Sequence, residues 1–179
     1  SQSLESIVDR AKSLSMDAIA LTENGNLFSM VDFYKYAKKN HIKPIIGCEI
    51  QIKHDIHNSF SLVLLAKNNQ GYLNLMKLVS LSHINSNKHQ PMIDYEELVK
   101  FSEGLIAMSS GLNGEITYYA SNGDYDNAKK SAINYQNIFN DDFYLEIQNH
   151  GIQKELDAHE ILAQLSDALA IDLVATNDT

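Results

Sequence analysis

The chain has 179 residues, of which 44% are hydrophobic and 21% charged, and Asp and Glu outnumber Lys and Arg by 23 to 14. This composition predicts one globular domain with a sizeable core, and the formal charge of −9 argues against a free-standing nucleic-acid binder. The single cysteine, Cys48, excludes an intramolecular disulfide, and we expect it to be a buried, apolar-like residue. No apolar run approaches the roughly 18 residues of a membrane helix, so we expect a cytoplasmic protein without membrane contact.

The spacing of apolar residues predicts alternating helices and strands along the first half of the chain. These elements are a helix capped by Ser3, a strand at 17–21, a helix at 28–40, and strands at 44–52 and 60–66. The helix at 28–40 is expected to have an apolar side that includes Val31, Tyr34 and Ala37. The stretch "TENGN" after the first strand predicts a turn, and 53–59 predicts a polar loop.

The second half of the chain continues this alternation. The predicted elements are helices at 72–83, 94–101, 114–121, 124–139 and 153–169, with strands at 104–110, 143–148 and 171–178. About six strands separated by helices predict βα units and a largely parallel sheet.

Polar residues follow the ends of most predicted strands. They are Thr22–Asn24, Glu49, Ser109 with Ser110, Gln148 with His150, and Thr176–Asp178. In a (β/α) barrel the carboxyl ends of the strands form the face that carries chemistry, so we predict a barrel-like α/β fold with a polar mouth. An open doubly wound sheet is the structural alternative.

Six phrases, in order along the chain, resemble one family. They are "ALTENGNLFSMVDFYKYAKKNHIKPIIGCE", "LVLLAKNNQGYLNLMKLVSLSH", "SEGLIAMSSGLNGEI", "NGDYDNA", "DDFYLEIQNHGI" and "LVATND". Together they are similar to the PHP (polymerase and histidinol phosphatase) domain at the N-terminus of bacterial replicative DNA polymerase III alpha subunits. The resemblance covers essentially the whole chain, and no single phrase carries it alone.

The resemblance implies a distorted, TIM-like (β/α)7 barrel in which residues 1–179 form one PHP domain of a much longer chain. The family's first strand, with a His-x-His pair, is expected before Ser1, and the polymerase portion after Thr179. Active members of the family bind up to three divalent metals and hydrolyse phosphoesters. Such metals neutralise the phosphate, activate a bound water and stabilise the leaving oxygen.

The family's metal ligands can be transferred position by position, and the resemblance implies that two of them are retained. Glu49 matches the glutamate of "GCE", and Asp178 matches the aspartate of a closing Asp-x-His pair. Three others are replaced, because Asn24 and Ser61 stand where the family has histidines and Gly111 where it has a cysteine. Two carboxylates cannot hold a trinuclear cluster, so we expect a degenerate metal site.

Three further residues near this mouth have alternative interpretations. Glu23 matches the family's aspartate and could bind metal, but a carboxylate at a strand end can equally cap the next helix. His57 lies four residues before Ser61, so a shift of the loop could make it a substitute ligand. His150 follows a strand and could face the mouth, without an assigned role.

The leading hypothesis is a catalytically silent PHP domain that supports a polymerase and docks a separate proofreading exonuclease subunit. The resemblance implies that the parent chain performs nucleotidyl transfer with magnesium, and that DNA and a sliding clamp contact other parts of it. This domain itself is then expected to need no cofactor. One alternative is an active phosphoesterase or 3′–5′ exonuclease with zinc or manganese, and another is a stand-alone PHP phosphatase acting on a small phosphorylated metabolite.

Overall fold

The computed structural model describes residues 3–55, 57–85 and 90–176, and these residues form six strands and seven α-helices. The strands are β1 (Ala18–Asn24), β2 (Lys43–His54), β3 (Asn58–Ala66), β4 (Leu105–Met108), β5 (Phe143–Ile147) and β6 (Leu173–Ala175). The helices are α1 (Leu4–Ser13), α2 (Met30–Lys39), α3 (Asn69–Asn85), α4 (Tyr95–Lys100), α5 (Glu115–Ser121), α6 (Tyr125–Phe139) and α7 (Gln153–Leu169). A short 3₁₀ turn at Asn140–Asp142 connects α6 to β5. None of the helices in these ranges is both long and apolar enough to cross a membrane.

The six strands form one mixed sheet in which their order in space follows their order in the chain. The pairs β1–β2, β4–β5 and β5–β6 are parallel, as predicted. The expectation of a largely parallel sheet is wrong at β3, which runs antiparallel to both β2 and β4. The reason lies in the connection, because β2 extends to His54 and β3 starts at Asn58. So short a turn can join only antiparallel strands, and most of the predicted polar loop at 53–59 is strand.

The main hydrophobic core lies between the sheet and the helices α3, α5, α6 and α7. It includes fully buried side chains from strands and helices, among them Leu64, Leu75, Leu78 and Leu145. Cys48 is also buried here, as predicted, and burial raises the pKa of its thiol to about 11. The thiol therefore behaves as a small apolar side chain rather than as a nucleophile.

A second, smaller cluster joins α1 to α2 through Val8, Phe33, Ala37 and Ile42. The predicted face of α2 is correct for Ala37 but wrong for Val31 and Tyr34, which are 55% and 46% exposed. The helix has two neighbouring apolar stripes, and the core takes the one with Met30 and Phe33. The other stripe is left on the surface.

Candidate functional site at the strand ends

The strand register brings three of the predicted site positions together. Asn24, the last residue of β1, is the partner of Glu49 in β2, and Ser61 in β3 is the partner of Gln51. Asn24, Glu49 and Ser61 therefore line one pocket of about 410 Å³ at the mouth of the half-barrel, together with Gln51 and Asn113. Because Glu49 and Gln51 are two residues apart in a strand, their side chains lie on the same face of the sheet.

Direct hydrogen bonds connect the polar side chains in this pocket. The Ser61 hydroxyl donates to Glu49 Oε1 at 2.6 Å and accepts from Gln51 Nε2 at 2.7 Å. Ser59 in turn donates to Gln51 Oε1 at 3.0 Å. Position 61, where the resemblance implies a histidine, thus holds a buried hydroxyl that donates to Glu49.

The Ser61 hydroxyl is expected to be important for stability. Ser61→Ala would remove the hydrogen-bond partner of Glu49 Oε1 and of Gln51 Nε2. Because Ser61 is only 2% exposed, water cannot easily replace the lost hydroxyl. We expect the free energy of unfolding to fall by about 2 kcal/mol, measured by urea denaturation. The control is Ser80→Ala on the exposed side of α3, which should change it by less than about 0.5 kcal/mol. Equal effects of the two variants would contradict a structural role for the Ser61 hydroxyl.

The far side of the mouth is filled by Gln148. A Cβ atom at Gly111 would lie 2.0 Å from Gln148 Oε1, so the amide occupies the space that a side chain at position 111 would need. The Gln148 Nε2 donates to Glu146 Oε1 at 3.0 Å and lies 3.3 Å from the Thr176 hydroxyl. The Gln148 amide therefore fits beside position 111 because glycine has no side chain there.

The buried carboxylate of Glu146 is a feature that sequence reasoning missed. Glu146 is 4% exposed; its Oε1 accepts from Gln148 and from Thr176, while Oε2 has no hydrogen-bond partner among the described residues. Burial raises the pKa of Glu146, and the nearby charge of Glu49 adds to this. Hydrogen bonds from Thr176, Gln148 and the backbone of Ser110 partly offset the rise. The available signal was a charged residue inside the otherwise apolar strand "FYLEI".

The predicted turn at 22–26 is shorter in the structure, because Thr22–Asn24 continue β1, but Gly25 and Asn26 have the turn role that their residue types predict. Gly25 has a φ of +65°, and the Asn26 side chain bonds to the carbonyl of Asn24 and the amide of Phe28. Glu23 Oε2 accepts from the backbone N–H of Ser29, the N-cap of α2, at 3.1 Å. Of its two interpretations, the structure thus places Glu23 in the capping arrangement.

The two histidines considered for the mouth make other contacts. His150 lies in the loop after β5; its backbone N–H donates to Glu155 Oε2, and its Nδ1 lies 2.7 Å from Oε1 of the same carboxylate. These bonds lower the pKa of Glu155 and attach the loop to α7. The ring of His57 packs against those of Phe60 and Tyr118, with centroids 5.3 and 4.8 Å away.

The donor set that the described residues supply at the mouth does not fit the metal cluster that the family implies. Within residues 3–55, 57–85 and 90–176, no three His, Cys, Asp or Glu side chains converge closely enough to hold an ion. Asp178 lies outside the described residues. Apart from Glu49, the polar side chains that line the 410 Å³ pocket are amides and hydroxyls. Zinc and manganese are held instead by imidazole, thiolate and carboxylate groups converging in number.

The chain is similar in sequence to a known domain family and to several curated proteins. The family model of the PHP domain matches residues 1–150. DNA polymerase III subunit alpha of Borreliella burgdorferi is 40% identical over 186 residues, and the protein of the same name from Helicobacter pylori strain 26695 is 40% identical over 190. That of Aquifex aeolicus is 35% identical over 190 residues. These matches cover 97% to 98% of this chain, which spans 16% of the length of each of the three relatives.

Solved structures show a similar fold at low sequence identity. An amidohydrolase from Chromobacterium violaceum with bound sulfate and no metal has a TM-score of 0.58 at 12% identity, over 99% of this chain and 81% of that one. A protein described as a metal-dependent phosphoesterase from Bifidobacterium adolescentis has a TM-score of 0.54 at 9% identity, over 98% and 81%. At these identities the similarity concerns the fold alone, and it confirms the predicted TIM-like barrel architecture over the open doubly wound sheet.

Proposed function

Because the chain belongs to the PHP domain family, we propose that residues 1–179 are the PHP domain of a DNA polymerase III alpha subunit and that this domain is catalytically silent. The observation that carries the proposal of silence is the mouth itself, where Ser61 and Gln148 bond directly to Glu49 and Glu146. A phosphoesterase of this type needs clustered cations to neutralise the phosphate and generate a nucleophile. The described side chains do not supply the ligands for such a cluster.

The parent chain would carry the enzymatic activity. Relatives that are 35% to 40% identical to this chain are named as DNA polymerase III subunit alpha. This supports a role in template-directed nucleotidyl transfer with magnesium in the cytoplasm, with DNA and a sliding clamp bound by other parts of the parent chain. The PHP domain would support the polymerase and dock a separate proofreading exonuclease subunit. A barrel core that is intact behind an altered mouth fits such a supporting role.

Metal content is the test of the silent site. The full-length parent polymerase is dialysed with zinc or manganese, desalted, and analysed by elemental mass spectrometry. We expect less than about one tightly bound zinc or manganese per chain and no hydrolysis of a phosphomonoester. A variant with Asn24→His, Ser61→His, Gly111→Cys and Gln148→Ala restores the family's ligand types and removes the amide that fills the space beside Gly111. It should retain more metal than the natural protein.

Two outcomes of this measurement have clear meanings. Two or three metals per chain in the natural protein, removed by a chelator together with phosphoesterase activity, would overturn the proposal in favour of an active PHP enzyme. Metal retained only by the restored variant would support it. Circular dichroism of both proteins shows whether the four substitutions preserve the fold.

A further inference from the structure

A pocket of about 520 Å³ lies beside the end of the β2–β3 hairpin and is bounded by α4, α5 and α6. Among the described residues, none that lines it also lines the 410 Å³ pocket at the mouth, so the two are separate. Its volume is within the range of about 300–1,000 Å³ that is usual for small-molecule sites. The supporting role proposed above gives no function to the charged and aromatic side chains that line it.

The carboxylate of Glu115 is held in place at the wall of this pocket. The Ser131 hydroxyl donates to Oε1 at 2.6 Å, and the Tyr135 hydroxyl donates to Oε2 at 3.0 Å. Because Ser131 and Tyr135 are four residues apart in α6, they lie on one face of the helix and reach the same carboxylate. Each oxygen can accept a second hydrogen bond, and the side chain is 18% exposed, so a ligand in the pocket can still reach it.

The described residues supply no full positive charge next to this carboxylate. Within those residues, no lysine or arginine nitrogen lies within 4.0 Å of Glu115, and His54 Nε2 lies at 4.0 Å, which is too long for a hydrogen bond. His54 Nδ1 accepts from the backbone N–H of His57 at 3.3 Å, which assigns the proton of the neutral ring to Nε2. The ammonium of Lys53 lies 3.7 Å from Asp94 instead. The charge of Glu115 is therefore available to a cationic ligand.

Tyrosine rings supply a second element of recognition. Tyr95, Tyr119 and Tyr135 line the pocket, and Tyr95 is 40% exposed. Burial raises the pKa of each of the three hydroxyls, and the negative charge of Glu115 adds to the rise. All three therefore stay protonated and uncharged at neutral pH. The faces of such rings attract cations, and a carboxylate beside them adds a charged hydrogen-bond acceptor.

The balance of charge around the pocket favours a cation over an anion. Asp55 and Asp94 line it together with Glu115, whereas its two lysines are Lys53, which is paired with Asp94, and Lys130. A phosphate in the pocket would be repelled by the Glu115 carboxylate. An ammonium or guanidinium group would be attracted to it, and also to the chain as a whole, which has a formal charge of −9.

We propose that this pocket binds a small organic cation through an ammonium or guanidinium group that bonds to Glu115 and lies against the tyrosine rings. Linear polyamines and alkylguanidines share this chemistry. The inference goes beyond the proposed function and does not depend on whether the mouth is catalytically silent. Because the ligand would contact the β2–β3 hairpin and three helices at once, its binding should stabilise the folded domain.

The experiment measures binding of agmatine and of spermidine to the full-length parent polymerase by isothermal titration calorimetry, in buffer without divalent metals. Glu115→Gln removes the charge but keeps an oxygen that can accept from α6, and it should weaken binding at least about tenfold. Tyr95→Leu, at a partly exposed ring, should weaken it about threefold. Lys130→Ala should change it less than about twofold, and so should the matched control Glu160→Gln, which removes an exposed carboxylate from α7.

Each other outcome overturns the proposal or a defined part of it. Absence of binding by both cations in the millimolar range would overturn it outright. Binding that Glu115→Gln leaves unchanged would place the cation at another site of the parent chain, and an unchanged Tyr95→Leu would remove that ring from the site. Binding of inorganic phosphate that is lost in Lys130→Ala, without binding of either cation, would assign the pocket to anions. Circular dichroism checks the fold of each variant, and if Glu115→Gln does not fold, Tyr95→Leu decides the question.

Discussion

Replacing Gly71 with alanine is expected to lower the free energy of unfolding by about 3 kcal/mol, although alanine is the better helix former. Gly71 lies in the first turn of α3, and a Cβ atom there would lie 1.8 Å from the backbone oxygen of Gly104. That oxygen also accepts from the backbone N–H of Lys67 at 2.9 Å, so it cannot move without breaking a hydrogen bond. The contact joins two backbones, and no side-chain rotation can relieve it. Urea denaturation followed by circular dichroism provides the measurement.

Gly123→Ala is the matched control for this prediction. Gly123 has a φ of +73°, but a Cβ atom there would meet nothing within 4 Å. The only penalty is that of a left-handed residue, about 1 kcal/mol. A Gly71→Ala protein as stable as the natural one would show that α3 and the loop before β4 are not in backbone contact.

Replacing Glu146 with glutamine is expected to raise the free energy of unfolding by about 1 kcal/mol at pH 7. Folding buries this carboxylate with one oxygen unpartnered among the described residues, which penalises the ionised form. The glutamine keeps an oxygen that can accept from Thr176 and Gln148, and it carries no charge. Within the natural protein, then, Glu146 in its ionised state opposes folding.

The pH dependence distinguishes this cause from a simple packing change. The pKa of Glu146 is raised in the folded state above 4.5, so the folded protein holds this proton more tightly than the unfolded chain does. The tighter binding of this proton stabilises the folded state fully below pH 4.5, and this stabilisation is lost as the pH rises through the folded-state pKa of Glu146. The advantage of the glutamine variant should therefore be present at pH 7 and disappear at about pH 4.

Two controls make the comparison specific. Glu160→Gln on the exposed side of α7 should differ from the natural protein by less than about 0.5 kcal/mol at either pH. The pKa of Glu155 is lowered by His150, so the stability that this carboxylate contributes is lost as the pH falls. Because Glu155 is present in both the natural protein and the Glu146→Gln variant, its effect cancels in the difference between their free energies of unfolding. A glutamine variant whose advantage is the same at pH 4 and pH 7 would show that the ionisation of Glu146 is not the cause.

The polar side chains at the mouth of this half-barrel bond directly to one another. The Glu49 carboxylate accepts a hydrogen bond from the Ser61 hydroxyl. On the other side, Gln148 donates to Glu146, whose pKa is raised in part by Glu49. The two bonded groups thus belong to one electrostatic environment, although they lie in separate cavities. The bond from Ser61 to Glu49 is expected to stabilise the domain, whereas the ionised form of Glu146 opposes folding.

Local sequence patterns alone predicted much of this protein. The apolar stretch at 60–66, the turn at Gly25 and Asn26, and the burial of Cys48 all agree with the structure. Each depends on neighbours within a few residues, where strand alternation and glycine conformation act. The stretch "ALTENGN" likewise predicted part of the polar mouth, because a polar cluster at a strand end is a local feature of the sequence.

Other features were decided only by the tertiary structure, because they depend on residues far apart in the chain. The antiparallel course of β3 requires pairing with both β2 and β4, and the burial of Phe33 rather than Tyr34 requires the contact of α2 with α1 and Ile42. The space beside Gly111 is filled by Gln148, which is far from Gly111 in the chain, so its occupation cannot be seen in the local sequence. The sequence pattern shows which residues are apolar. Only the packing of the folded chain determines which of two similar helix faces is buried and which polar group fills a given space.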